Sequence, residues 1–234
     1  FEFEDYVLRY SFLKAKISSL GTVVFFHGHN AFLQAGPFSS WDYFDLLAPW
    51  DNYGWRRQGS WFWGDKGNNY TERMINALIK KKIDKTNKPW FCFGGSMGGF
   101  GALYHGIKSD CDGIYVMMPQ VDLKKKIIDY GIEDTDNPYG YLHNGNLDSL
   151  LDIIKVALEK DEIPPLFLTQ NQYDNVNLFK EHAAKLLDVY DKKNAWYGIR
   201  VLPARGHFCD GSYKEAEYFF KTLVEKNLPK KIII

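Results

Sequence analysis

One segment constrains the fold of this chain more than any other. Pro89-Trp90-Phe91-Cys92-Phe93 is an apolar run of strand length, and it ends in Gly94-Gly95-Ser96-Met97-Gly98-Gly99. A helix is expected directly after it, over 98–107. A Gly-x-Ser-x-Gly between a buried strand and a helix makes a tight, strained turn that lifts the serine Oγ above the end of the sheet. Small neighbours are required there because the backbone crowds on both sides of Ser96. Four further runs read as buried strands: 22–26, ending at His27-Gly28-His29-Asn30, then 113–118, 166–169 and 197–202. Helical spacing of apolar residues recurs between them. It is seen over 70–82 (Met74, Ile75, Leu78, Ile79), 178–190 (Phe179, Ala183, Leu186, Leu187) and 213–225 (Tyr218, Phe219, Leu223, Val224). Strands alternating with helices predict an α/β fold, a mostly parallel sheet with helices on both faces. The stretch 120–163 breaks this rhythm after the strand near 113–118. It reads as an insertion with a helix around 147–158, either a lid or a long crossover.

Length and charge narrow the function classes. At 234 residues one domain, 1–234, is the expectation. Lys and Arg together number 29, as do Asp and Glu, so the formal net charge is zero and nucleic acid is not expected as a partner. No run approaches the roughly 18 apolar residues of a membrane-spanning helix. Three cysteines form no disulfide framework, which points to a reducing, cytoplasmic setting. The first residue is Phe1, so the start reads as trimmed or processed, and no signal-peptide pattern stands there. Abundant Lys, Asn, Ile and Tyr suit an AT-rich bacterial genome.

A serine raised on such a turn needs a base, and the base needs an acid to orient it. In a strand–turn–helix context of this kind the chain order is serine, acid, histidine. Asp174 follows the 166–169 strand and His207 follows the 197–202 strand. Both therefore belong at carboxyl ends of parallel strands, where open α/β sheets bind ligands. Asp122 is the other candidate acid, and Asp210 lies too near His207 in sequence. Among rival bases, His182 falls within a predicted helix and is expected at the surface, His105 lies on the helix after Ser96, and His143 lies in the insertion. For an oxyanion hole the backbone N–H of Met97 and that of His29 are the candidates, with Asn30 next. His27 is read as a core histidine bonded to backbone.

Aromatic residues make up 17% of the chain, and five of the seven tryptophans fall within a loop-rich stretch, 31–70. Rings stack on sugar faces and Arg binds anionic groups in a fork. Trp55, Arg56, Arg57, Trp61 and Trp63 are therefore candidate substrate-binding residues for a sugar polymer. The bland alternative is that a long loop uses tryptophan to build its own small core.

At the Gly94–Gly99 turn the sequence resembles the α/β-hydrolase superfamily, over nearly the whole chain. The segments Gly98-Gly99-Phe100-Gly101-Ala102-Leu103, Met118-Pro119-Gln120-Val121-Asp122-Leu123 and Gly206-His207 leading to Tyr218-Phe219-Phe220-Lys221-Thr222-Leu223 are similar to bacterial capsule-polysaccharide O-acetyltransferases of that fold. An accessory-secretion family that acetylates adhesin glycans shares the same style of turn. The resemblance implies Ser96, Asp174 and His207 as a triad, acetyl-CoA as acyl donor and a carbohydrate hydroxyl as acceptor. No bound cofactor and no metal are expected. The competing readings are an esterase or deacetylase acting on an acylated carbohydrate, and a catalytically silent carbohydrate-binding or assembly module.

Overall fold

Strict alternation of side chains along the strands builds two cores, one on each face of a single sheet. A computed structural model describes residues 1–30, 40–83, 88–131, 136–147, 150–207 and 213–226. Its strands are β1 (Glu2–Phe3), β2 (Tyr6–Val7), β3 (Arg9–Leu13), β4 (Gly21–Phe26), β5 (Phe44–Trp50), β6 (Trp90–Gly95), β7 (Gly113–Met117), β8 (Leu166–Tyr173) and β9 (Tyr197–Arg205). The helices are α1 (Tyr70–Lys82), α2 (Met97–Lys108), α3 (Leu123–Tyr130), α4 (Ile153–Glu159), α5 (Ala183–Lys192) and α6 (Tyr213–Lys226). Seven strands form one sheet in the order β3-β5-β4-β6-β7-β8-β9, parallel throughout except for antiparallel β3. The expected α/β architecture, with helices on both faces and an insertion after β7, is therefore present.

Val24 and Phe26 of β4, Cys92 of β6 and Ile114 and Val116 of β7 face one way, against α1, α2, α4 and α5. Their alternate neighbours Val23, Phe25, Phe91, Phe93, Tyr115 and Met117 face the other, against α6 through Phe219, Phe220 and Leu223. Each such side chain, fully buried, contributes about 1.5–3 kcal/mol. Phe91 and Phe220 stack at 4.7 Å between ring centroids, which fixes α6 across the middle of the sheet. No helix among the described residues is long and apolar enough to cross a membrane.

The structure departs from the sequence reading in four places. The stretch 31–70 is not loop throughout, because Phe44–Trp50 is an interior strand between β3 and β4. Pro49 disguised it, yet Pro49 lies past the last β5 residue paired with β4, so no ladder bond to that neighbour is lost. Among its described residues the insertion carries two α-helices, α3 and α4, rather than one over 147–158. Asp122 and Asp152 start them by accepting backbone N–H groups of the first turn. The helix expected over 178–190 begins only at Ala183. His182, expected at the surface, is fully buried just before it, with Nδ1 accepting the backbone N–H groups of Val121 and Asp122 at 3.1 and 3.2 Å. Asp210 and positions 31–39 of the aromatic-rich stretch lie outside the described residues.

Candidate active site

The turn at Ser96 is strained and tightly walled. Ser96 adopts φ 55° and ψ −120°, a left-handed φ that costs a non-glycine residue about 1–3 kcal/mol. Its N–H donates to the carbonyl of Met117 at 2.9 Å, and its own carbonyl accepts from Phe100 of α2 at 3.2 Å. Those bonds hold the serine between β7 and α2. The flanking glycines are demanded by close approach. A Cβ on Gly98 would lie 2.1 Å from the carbonyl oxygen of Phe26, and one on Gly94 would lie 2.3 Å from that of Gly98.

Three side chains meet above this turn. His207 Nε2 lies 2.7 Å from Ser96 Oγ. His207 Nδ1 lies 2.9 Å from Asp174 Oδ2. A carboxylate beside Nδ1 places the ring proton there and leaves the Nε2 lone pair facing the serine hydroxyl. Asp174 directly follows β8, and its side chain is wholly buried while that of His207 is 19% exposed. Its Oδ1 accepts the backbone N–H groups of Val176 and Asn177 at 2.8 and 3.0 Å. Burial acts against the Asp174 charge, but the hydrogen bonds from His207, Asn177 and Val176 outweigh it and hold the carboxyl below the usual carboxylate range. Asn171 Nδ2 donates to the carbonyl of Gly206 at 3.0 Å, which fixes the chain entering His207. The register shift between Asn171 and Tyr173 on β8 sits beside it.

The other candidates are occupied elsewhere. Asp122 caps α3 and meets Lys185 at 2.7 Å, so it serves a helix start rather than a histidine. His105 is buried, with Nε2 on the Phe62 carbonyl at 2.9 Å. His143 Nδ1 accepts the Gly145 N–H at 2.9 Å. His27 is a core histidine, with Nδ1 on the Gly28 carbonyl and Nε2 accepting from the Asp51 N–H. The Asn30 amide is spent on the Gln58 carbonyl at 2.9 Å. The amides of His29 and Met97 have no hydrogen-bond partner among the described residues. The Met97 N–H stands at the positive end of the α2 dipole.

Ser96, His29 and His207 open onto a cavity of about 550 Å³. Trp61 forms part of its wall. Trp63 is buried beneath, in the core shared with α1. Trp55 and Arg56 lie outside it, with the Arg56 guanidinium 4.2 Å from the Trp55 ring and both side chains directed at Asp136. Arg57 is exposed beside them. Gln120 and Tyr139 are among the wall residues that the sequence reading did not single out, as are Tyr130 and Tyr213. The side chain of Gln120 accepts from the Trp61 indole N–H and donates to the Tyr139 hydroxyl, and its backbone N–H donates to the Ser96 carbonyl at 3.3 Å. Gln120 thus ties the Ser96 turn, the aromatic segment and the insertion together. Its place just past β7, the strand beside β6, was the available signal.

No family model matches this chain, and no curated protein sequence does. Solved structures match in fold. The capsule O-acetyltransferase of Neisseria meningitidis serogroup A is similar with a TM-score of 0.67 and 18% identity, over 96% of this chain and 93% of its own. A His-to-Ala variant of that enzyme, in complex with CoA, is similar with a TM-score of 0.63 and 16% identity, over the same shares. The Pyrococcus horikoshii acylaminoacyl peptidase gives 0.67 at 13% identity, over 100% of this chain and 41% of its own. Zea mays acyl-protein thioesterase 2 gives 0.56 at 13% identity, over 92% and 98%. At these identities the likeness speaks for architecture, and the architecture of this chain is the α/β-hydrolase fold.

Proposed function

We propose that this protein is a serine acyltransferase that moves an acetyl group from acetyl-CoA to a sugar hydroxyl through an acyl-enzyme on Ser96. The observation that carries the reading is the hydrogen-bonded run from Asp174 through His207 to Ser96 at the cavity floor. In the first half, Ser96 Oγ attacks the thioester carbonyl while its proton passes to His207 Nε2. The N–H groups of Met97 and His29 receive the developing oxyanion. The C–S bond then breaks and the thiol leaves with the proton from His207. In the second half, His207 takes the proton of the sugar hydroxyl as its oxygen attacks the acetyl-serine. Collapse of that intermediate releases the acetylated sugar and returns the proton to Ser96. Asp174 holds the His207 tautomer and stabilises its charged form.

The structural likeness to a capsule O-acetyltransferase, one form of which is complexed with CoA, supports the donor and acceptor classes. A second reading has its own support. The His207 side chain stays partly exposed, so water can serve as the second nucleophile, making the protein an esterase of acylated carbohydrate. A silent binding module has no use for the ordered Asp174–His207–Ser96 contacts. The test is intact-protein mass spectrometry after incubation with acetyl-CoA, beside a Ser96→Ala control. A gain of one acetyl group that disappears in the control supports the acyl-enzyme and the donor. Transfer of that group to added polysaccharide rather than to water then supports the transferase reading. No adduct, together with ester hydrolysis that needs Ser96, supports the esterase.

A further inference from the structure

Ser96 follows β6 and Asp174 follows β8, so the width of β7 separates them. The His207 ring spans that gap, 2.9 Å from Asp174 Oδ2 and 2.7 Å from Ser96 Oγ. An imidazole is rigid, so both contacts last only while the acid and the serine keep one spacing. β7 ends at Met117, whose carbonyl accepts the Ser96 N–H at 2.9 Å. The next residue, Met118, is left-handed at φ 42°. Its N–H donates to the carbonyl of Thr169 on β8 at 2.8 Å. Its own carbonyl accepts from Nδ2 of Asn177 at 2.8 Å. Asn177 is wholly buried, three residues past Asp174. Its backbone N–H donates to Asp174 Oδ1 at 3.0 Å, and its carbonyl accepts from Gln170 Nε2 of β8 at 3.0 Å.

We propose that Asn177 is a positioning residue whose side-chain amide braces the Asp174 loop against the end of β7, and so sets the span that His207 must bridge. The proposal rests on the reading of Ser96 as the acyl-carrying residue. It supplies a connection from acid to serine that does not pass through His207. The connection runs from the Asp174 carboxylate to the Asn177 N–H, and from the Asn177 amide to the Met118 carbonyl. One residue back, the Met117 carbonyl takes the Ser96 N–H. The three hydrogen bonds measure 2.8 to 3.0 Å. The Val176 N–H also meets Asp174 Oδ1, but that bond lies within the loop and cannot fix it against the sheet. Other contacts join the same two segments further along. His182 Nδ1 accepts from Val121 and Asp122, Lys126 reaches the Val176 carbonyl, and Lys185 meets Asp122. Those hold the start of the insertion, whereas Asn177 reaches the residue beside Met117. A left-handed residue keeps its conformation only while its surroundings hold it. Removing the Asn177 amide therefore strips the Met118 carbonyl of a buried donor and frees the acid loop in one step.

Asn177→Leu and Asn177→Ala test the proposal. The first keeps the branched shape without a donor or a charge, and the second removes the amide outright. Tyr190→Phe is the control, because it strips one buried hydrogen bond, from the Tyr190 hydroxyl to the Pro164 carbonyl at 3.0 Å, at the other end of β8. In the wild type, a far-downfield proton resonance that Asp174→Asn removes marks the His207 Nδ1–H on its carboxylate. It is expected to move upfield or vanish in both Asn177 variants and to persist in Tyr190→Phe. Labelling of Ser96 by a fluorophosphonate is expected to slow about 10- to 100-fold in the Asn177 variants. It is expected to keep its rate in Tyr190→Phe, and to slow little further when Asn177→Leu is added to Asp174→Asn. An unchanged resonance and labelling rate in either folded Asn177 variant overturns the proposal, as does a loss that multiplies with that of Asp174→Asn. Wild-type protein that resists the probe, while its resonance still responds to Asn177, would instead overturn the acyl-enzyme reading and leave the brace standing.

Discussion

The backbone N–H of Asp51 donates to Nε2 of His27 at 2.9 Å, and this bond joins the loop after β4 to the segment that presents Trp61. Asp51 is wholly buried. Its carboxylate accepts the N–H groups of Ser60 and Phe62, each at 2.7 Å, and the Ser60 hydroxyl at 2.9 Å. Those bonds hold two consecutive residues, Trp61 at φ 54° and Phe62 at φ 57°, in the left-handed region. The strain amounts to about 1–3 kcal/mol per residue. The aromatic wall is thus set by a buried carboxylate that is not itself among the residues lining the cavity.

Asp51→Asn is expected to cost about 1–3 kcal/mol of stability. The amide oxygen can keep the Ser60 and Phe62 N–H groups, but its NH2 then faces the Tyr53 N–H and a Ser60 hydroxyl that must reverse to accept, and the charge that strengthened all four bonds is lost. Urea unfolding followed by tryptophan emission measures it. A loss below about 0.5 kcal/mol would show that the Trp61 turn does not depend on this carboxylate.

Asp174→Asn and Ser96→Ala are each expected to lower acetyl turnover by about 10³-fold or more, and the double variant by little beyond Ser96→Ala alone. The reason is that Asp174 acts through His207 on Ser96. Single-turnover kinetics of the three variants, each with a native circular dichroism spectrum, provide the check. Additive losses would mean that Asp174 supports the site by another route.

Gly98→Ala is expected to destabilise the protein by more than about 4 kcal/mol or to prevent folding, because its Cβ meets backbone oxygen at 2.1 Å. Gly145→Ala gives the contrast. Its strain is a left-handed φ of 91°, which Gly98 does not have, and its Cβ meets nothing within 4 Å, so its cost is expected to stay near 1 kcal/mol. Thermal melting of both ranks them.

Stability is expected to fall as pH drops from about 6.5 toward 4. Burial lowers both His105 and His182 to about 4, while the unfolded chain titrates them near the ordinary value of about 6.5. Between those values the unfolded state binds protons that the folded state refuses. The folded form therefore keeps its full margin above about 6.5 and loses about 1.4 kcal/mol per pH unit for each histidine below it. The depressed carboxyls of Asp174 and Asp122 add their loss only below the ordinary carboxylate range. Urea midpoints at pH 8, 6.5, 5.5 and 4.5 test this, and a midpoint unchanged down to pH 5 would contradict it.

The parallel strands and the Ser96 turn were legible because burial on both faces leaves continuous apolar runs and because glycine marks backbone crowding. Asp174 and His207 were legible as a pair because each closes a strand of the same sheet, and the structure brings both to Ser96. β5 was not legible, since Pro49 reads as a break unless its one-sided pairing is known. Nor was the burial of His182, because a histidine that accepts two loop amides leaves no periodic trace. The aromatic excess was visible, but its sorting was not. Trp61 and Trp63 are both buried in one core, with only Trp61 also lining the cavity, and Trp55 lies outside it; left-handed pairs at Arg56–Arg57 and Trp61–Phe62 turn the chain along this stretch, and backbone sign is not written in composition.

Gln120, Trp61 and Tyr139 come from three crossover segments, whereas Ser96, Asp174 and His207 come from strand ends. The hydrogen-bonded run proposed to carry the chemistry and the aromatic wall of the cavity therefore reside in separable parts of the chain. Segments 51–69 and 123–163 could be exchanged for those of a relative without altering a single strand pairing, as long as a partner for Gln120 is kept. Diversification of what such a scaffold accepts can proceed by grafting, and Gln120 is the socket every graft must fit.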